Sequence, residues 1–145
     1  MKFNLEETVT GVDLHPGAVL LVFPREGMTE VLKLLGTDSA LVDAFVVDRQ
    51  RVTMAVYFPE DAPSPEELLS KGVIVEPGYF RLTLQGHRLT EGKGLAALWE
   101  SVLADEKIPL RLSCSDCAGI TQYLPDSAKN AVLELLNRTF GIKAV

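Results

Sequence analysis

Apolar residues along this chain fall into short runs of strand length and longer stretches in which they recur every three or four positions. Ala18–Phe23 (AVLLVF) is a continuous apolar run, closed by Pro24. A β-branched piece, Val9–Val12, precedes it, and the Pro16-Gly17 dipeptide between them predicts a turn that separates two strands. Met28, Val31, Leu32 and Leu35 share one helical face, which predicts a short helix over 28–35 that stops at Gly36. Two strands follow, 41–47 and 51–58, joined by Asp48-Arg49-Gln50. In the second, Val52, Met54, Val56 and Phe58 alternate with Thr53, Ala55 and Tyr57. Ser64, Pro65 and Glu67 form a capping-box pattern that predicts a helix over 65–70, ended by Gly72.

The second half repeats this order. Phe80, Leu82 and Leu84 line one face of a strand over 79–84, and the Gly-rich stretch QGHRLTEGKG follows. Leu95, Leu98, Trp99, Val102 and Leu103 make a helical stripe. Strands at 109–113 and 119–124 flank CSDCA, and a last helix presents Ala128, Val132, Leu135, Leu136 and Phe140. Asp126 or Ser127 is placed to cap that helix and Gly141 to stop it.

Each half therefore reads strand–helix–strand–strand–helix, with 9–12 and 73–75 available as fourth strands. That is an α+β chain in which one ferredoxin-like βαββαβ unit with an antiparallel sheet is written twice. The expected units are residues 16–76 and 77–145, with strand 8–15 available to pair in the second. Two similar phrases mark the repeat, YFPEDA at Tyr57–Ala62 and YLPDSA at Tyr123–Ala128. In each, proline ends the third strand and an acidic residue favours the start of a helix.

The chain has 145 residues, 47% hydrophobic and 23% charged, enough for a buried core. Its net charge of −6 argues against general nucleic-acid binding and against an anionic membrane surface. No apolar run approaches bilayer length and MKFNLEETVTG lacks a signal-peptide pattern, so a cytoplasmic protein is expected. Cys114 and Cys117 lie too close together to staple a fold, and a reducing compartment keeps them as thiols.

Three stretches carry a resemblance to a known family. TVTGVDLHPGAVLLVF, the span YFRLTLQGHRLTEGKGLAALWESVLADEKIPLRLSCSDCAGITQYLPDSAKNAVLELLNRTFG, and the helix AVLELLNRTF within it resemble the tandem ACT-domain regulatory region of aspartate kinases. The chain is too short for a kinase domain, so the resemblance implies a stand-alone regulatory pair. It implies a small-molecule effector, an amino acid, bound where units meet, a homodimer, and a partner enzyme of amino-acid metabolism. It implies no catalysis and no cofactor. Where the family has Asp-x-Pro-Gly after its first strand, this chain has PREGMTE. Where the family has Gln-Asn after its second, this chain has VVD, and EGKG stands in place of His-Pro-Gly.

By loop position, the resemblance makes the ligand-binding candidates Arg25, Glu26, Gly27, Met28, Thr29, Val47 and Asp48 in the first repeat. In the second they are His87, Arg88, Glu91, Gly92, Gly94, Ser113 and Ser115. The chemistry is apt. Glycines let backbone N–H groups face a carboxylate, Glu91 suits an α-ammonium, and Arg88 offers a second carboxylate contact. The plainer reading keeps both loops as solvated connections whose glycines permit sharp turns, with Thr29 capping its helix.

Other residues read more simply. One CxxC supplies two of the four ligands structural zinc wants, and between two strands it is not placed as a thioredoxin-type dithiol. Cys114 and Cys117 then read as hairpin fillers. His15 and His87 fall in turns without a nucleophile partner, and Trp99 reads as core. No P-loop, Rossmann or HExxH pattern is present. Three functions remain: a ligand-binding regulatory module; an interaction module that has lost its ligand and docks onto a separate enzyme; and last, a small enzyme or metal/redox protein using Cys114 and Cys117, against which stands that no acid–base pair converges on the thiols.

Overall fold

The structure is a computed structural model that describes residues 9, 11–36, 41–58, 65–86, 95–116 and 119–141. The described elements are β1 (Gly11–Pro24), α1 (Met28–Gly36), β2 (Leu41–Val47), β3 (Arg51–Tyr57), α2 (Pro65–Ser70), β4 (Ile74–Gln85), α3 (Leu95–Asp105), β5 (Leu112–Asp116), β6 (Gly119–Pro125) and α4 (Lys129–Phe140). Short 3-10 turns at Arg25–Gly27 and Asp126–Ala128 lead into α1 and α4. The strands hydrogen-bond in the order β2-β3-β1-β4-β6-β5, and β1–β3, β2–β3 and β5–β6 pair antiparallel.

Contacts divide the chain into Gly17–Tyr79 and a second unit made of Met1–Pro16 with Phe80–Val145. In the first, β1-α1-β2-β3-α2-β4 with strand order β2-β3-β1-β4 is the ferredoxin-like arrangement. In the second, β4-α3-β5-β6-α4 supplies five of the six elements. The N-terminal part of β1 is the sixth, with Val12 and Leu14 packed against that unit's core and Arg81 facing Asp13 at 4.0 Å. The fold is α+β, built from two ACT-type ferredoxin-like units.

Two strands run further than the spacing predicts. Pro16-Gly17 does not end a strand, because β1 continues from Gly11 to Pro24 with Gly17 at φ 88°. Likewise Ile74 and Val75 of the predicted piece 73–75 and the predicted strand 79–84 belong to one strand, β4, which passes through Pro77 and Gly78 at φ 89°. Proline keeps an extended φ and glycine tolerates the positive one, so the strand goes on through each pair. At the fifth strand the error is the reverse. Pro109 has no N–H to give a ladder, and β5 begins at Leu112.

In the unit Gly17–Tyr79, Leu21 and Phe23 of β1 and Val52, Met54 and Val56 of β3 pack with Val31 and Leu35 of α1 and Leu68 of α2. The register Leu21↔Met54 and Phe23↔Val52 puts these residues on one sheet face. After α2, Gly72 takes φ 80° while the Val73 N–H donates to the Leu68 carbonyl at 3.1 Å, turning the chain into β4.

The other core gathers Phe80, Leu82 and Leu84 of β4 with Trp99 and Leu103 of α3 and Val132, Leu136 and Phe140 of α4. Trp99 is fully buried, with its ring centroid 5.4 Å from that of Phe140. Asp126 and Ser127 form the 3-10 turn rather than a cap, and Ala128 heads α4 with no side-chain capping bond. Gly141 ends the helix at φ 69°, its N–H donating to the Asn137 carbonyl at 2.8 Å.

Candidate functional site

The first-repeat candidates sit at one end of the unit Gly17–Tyr79. Pro24 (φ −61°, ψ 145°) ends β1 opposite Arg51 and turns the chain into the Arg25–Gly27 turn. The Arg25 N–H then donates to the Gln50 carbonyl at 3.1 Å, tying the turn before α1 to the turn between β2 and β3. Val47 closes β2 in the row Val47–Val52–Phe23 across three strands. The structure thus brings Arg25, Glu26, Gly27, Met28 and Thr29 to the same corner as Val47 and Asp48.

Asp48 is engaged there already. Its Oδ1 accepts the Gln50 and Arg51 backbone N–H groups, both at 2.8 Å, and its own N–H donates to the Arg51 carbonyl at 3.0 Å. Those amides, Gln50 first, hold its carboxyl below the ordinary aspartate range, and the Arg51 charge adds to them. Gly27 leaves room at the surface, since a Cβ there would meet nothing nearer than Phe23 at 3.8 Å. Thr29 lies exposed in the first turn of α1.

The second-repeat candidates divide. His87, Arg88, Glu91, Gly92 and Gly94 lie outside the described residues, as do the Ser64 cap and Cys117. Ser113 and Ser115 lie on β5, opposite Gln122 and Ile120. Ser113 Oγ accepts a bond from Gln122 Nε2 at 3.4 Å, and Gln122 Oε1 accepts the Trp99 indole N–H at 2.8 Å. Ser113 is therefore tied to a core residue. Cys114 is half-buried on β5 opposite Thr121, and among the described residues no three His, Cys, Asp or Glu side chains gather as metal ligands.

Sequence reasoning passed over Gln50 and Arg51. They line a concavity of about 330 Å³ with Val22, Phe23, Pro24, Gly72 and Ile74. The available signal was DRQR, three polar or charged turn residues running into a strand whose first residue is a further arginine.

The architecture is a pair of ACT-type ferredoxin-like units. Solved structures of the same fold are found among aspartate kinases and their regulatory subunits. The regulatory subunit of aspartate kinase from Thermus thermophilus superposes with a TM-score of 0.77 at 18% identity, over 93% of this chain and 99% of that one. Clostridium acetobutylicum aspartate kinase gives 0.80 at 10% identity, over 92% of this chain and 35% of that one. E. coli aspartokinase III in complex with lysine and aspartate gives 0.72 at 18%, over 92% and 33%. The chain thus spans about a third of the length of the whole kinases it matches and nearly all of the regulatory subunit. At these identities the likeness is one of fold. No protein-family model matches the sequence, and no curated protein matches it. Among the described residues no helix is long and apolar enough to cross a membrane.

Proposed function

We propose that this chain is a regulatory module that binds a small ligand, an amino acid, at its ACT-type units, works as a homodimer and has no catalysis of its own. The main support is the near-complete coverage, in both directions, between this chain and the Thermus thermophilus regulatory subunit. The complex of E. coli aspartokinase III with lysine and aspartate supports an amino acid as the ligand class. The corner formed by Arg25–Thr29 with Val47 and Asp48 is one site, and the stretch of sequence with His87, Arg88, Glu91, Gly92 and Gly94 is its counterpart.

The dimer reading draws on β2, which ends the strand order. Phe45, Val46 and Val47 stand in succession on it with 51%, 44% and 42% of their surface exposed. The strand carries Asp43 and a bulge between Val42 and Ala44 in its first half, but its last three residues present exposed apolar side chains on a sheet edge, a template for pairing. A second copy, paired about a twofold axis, covers both edges at once.

A ligand that binds only the folded chain raises its melting temperature by mass action. Melting the intact chain with each of the twenty amino acids tests the reading. A rise with one or a few supports it, and an unchanged transition with all twenty removes the ligand. The same exposed edge favours a second reading, a module that docks onto a separate enzyme of amino-acid biosynthesis. A purified chain that sediments as a monomer, and associates only when a kinase lacking its regulatory region is added, selects that reading.

A further inference from the structure

We infer that the concavity where β1 ends and β3 begins is a binding site for a molecule with a free carboxylate and a compact apolar body, with Arg51 as its anion-holding group. The inference rests on the regulatory reading and gives the ligand's chemistry and place.

Three elements of one unit build the concavity. Val22, Phe23 and Pro24 come from the end of β1, Gln50 and Arg51 from the turn into β3, and Ile74 from the start of β4. Its volume, about 330 Å³, lies at the lower end of the usual small-ligand range. The backbone beneath it is fixed. Pro24 pairs with Arg51, the Arg25 N–H holds the Gln50 carbonyl, and the Asp48 carboxylate holds the Gln50 and Arg51 amides.

The side chains above that backbone are unspent. Among the described residues neither the Gln50 amide nor the Arg51 guanidinium has a hydrogen-bond or ion-pair partner. Arg51 and Asp48 feel each other's charge, but the Asp48 Oδ1 serves the turn. Ile74 stands with 57% of its surface in water. An occupant that covers Ile74 removes apolar area from solvent, and its carboxylate meets the planar donor fork of Arg51.

The same charge selects against other ligands. Arg51 is the only charged residue lining the concavity among the described residues. A ligand with a cationic side chain, such as lysine, places like charges together there, whereas an apolar side chain meets Val22, Pro24 and Ile74. Gln50 can accept from an α-ammonium as well as donate, so the lining suits an amino acid of apolar side chain.

The test is calorimetric titration of the intact chain with L-leucine, L-leucinamide and 4-methylpentanoate, which carries leucine's skeleton without the amine. L-leucine is expected to bind at least about tenfold more tightly than the amide, the usual scale for one charge-assisted contact. Arg51→Gln is expected to weaken L-leucine and 4-methylpentanoate by a similar factor. Ile74→Glu, at an exposed position that leaves the core intact, does the same by adding a repelling carboxylate. Equal affinities for L-leucine and its amide, or an Arg51→Gln variant that binds L-leucine unchanged, overturn this site while leaving the regulatory reading in place. Arg51-dependent binding of 4-methylpentanoate by a chain that no amino acid stabilises keeps the site and removes the amino-acid reading. If neither carboxylate binds, the site is overturned.

Discussion

The backbone N–H of Arg25 donates to the carbonyl of Gln50 at 3.1 Å, joining two turns that are 25 residues apart in the chain (50 − 25). The bond is available because Pro24 ends β1 opposite Arg51 and turns the next amide out of the ladder. Asp48 then completes the corner by holding the amides of Gln50 and Arg51.

That corner gives a pH dependence with a definite sign. The folded-state pKa of Asp48 lies below its unfolded value, chiefly through the Gln50 and Arg51 amides. A carboxyl of this kind adds stability above its unfolded pKa, and the contribution is lost as pH falls through the folded value. Asp48→Ala is expected to melt below the parent at neutral pH. The gap should close as pH is lowered past the ordinary aspartate value of about 3.9. Melting curves across that range check it, and a gap that widens on acidification contradicts the assignment.

Gly119 is required by close approach. A Cβ there would lie 2.1 Å from the backbone carbonyl oxygen of Leu84, which cannot swing aside as a side chain can. Gly119→Ala is expected to cost about 1–3 kcal/mol or more, the range of overpacked sites, in urea unfolding. Gly27→Ala serves as the contrast. Its Cβ meets only Phe23 at 3.8 Å, so a change within about 0.5 kcal/mol is expected.

The Trp99–Gln122 bond, 2.8 Å and fully buried, is a polar feature of its core. Gln122→Leu leaves the indole N–H without its acceptor, at an expected cost of about 1–3 kcal/mol. Adding Trp99→Phe removes the stranded donor, so the double variant should lose less than the two single variants summed. A double-mutant cycle in urea reads this, and strict additivity would show that the two side chains do not act as a pair.

The exposed apolar run on β2 is testable by charge. Val46→Lys on an edge strand opposes pairing with a second copy and leaves the buried core untouched. The expected result is a folded chain that sediments as a monomer at concentrations where the parent is dimeric. A variant as dimeric as the parent would place the dimer contact elsewhere.

Much of the architecture was legible because local signals and burial agree. Met28, Val31 and Leu35 announce α1, and Val52, Met54 and Val56 announce β3; both sets pack in one core. One Pro-Gly pair misled. Pro16-Gly17 carries turn chemistry, yet it sits inside β1, where ladder bonds outweigh the local preference. The site was only partly legible. Asp48 was a candidate by its loop position in the resemblance, but its work in holding the β2–β3 turn appears only once Gln50 and Arg51 fold back on it. Gln122 gave no local sign. A buried tryptophan wants an acceptor, but which of the distant polar residues supplies it depends on strand register.

The most direct measurement is equilibrium dialysis of the intact chain against each of the twenty amino acids in labelled form. The account predicts saturable binding of one or a few of them, in a fixed ratio to the chain. Twenty amino acids that all distribute equally across the membrane would contradict it.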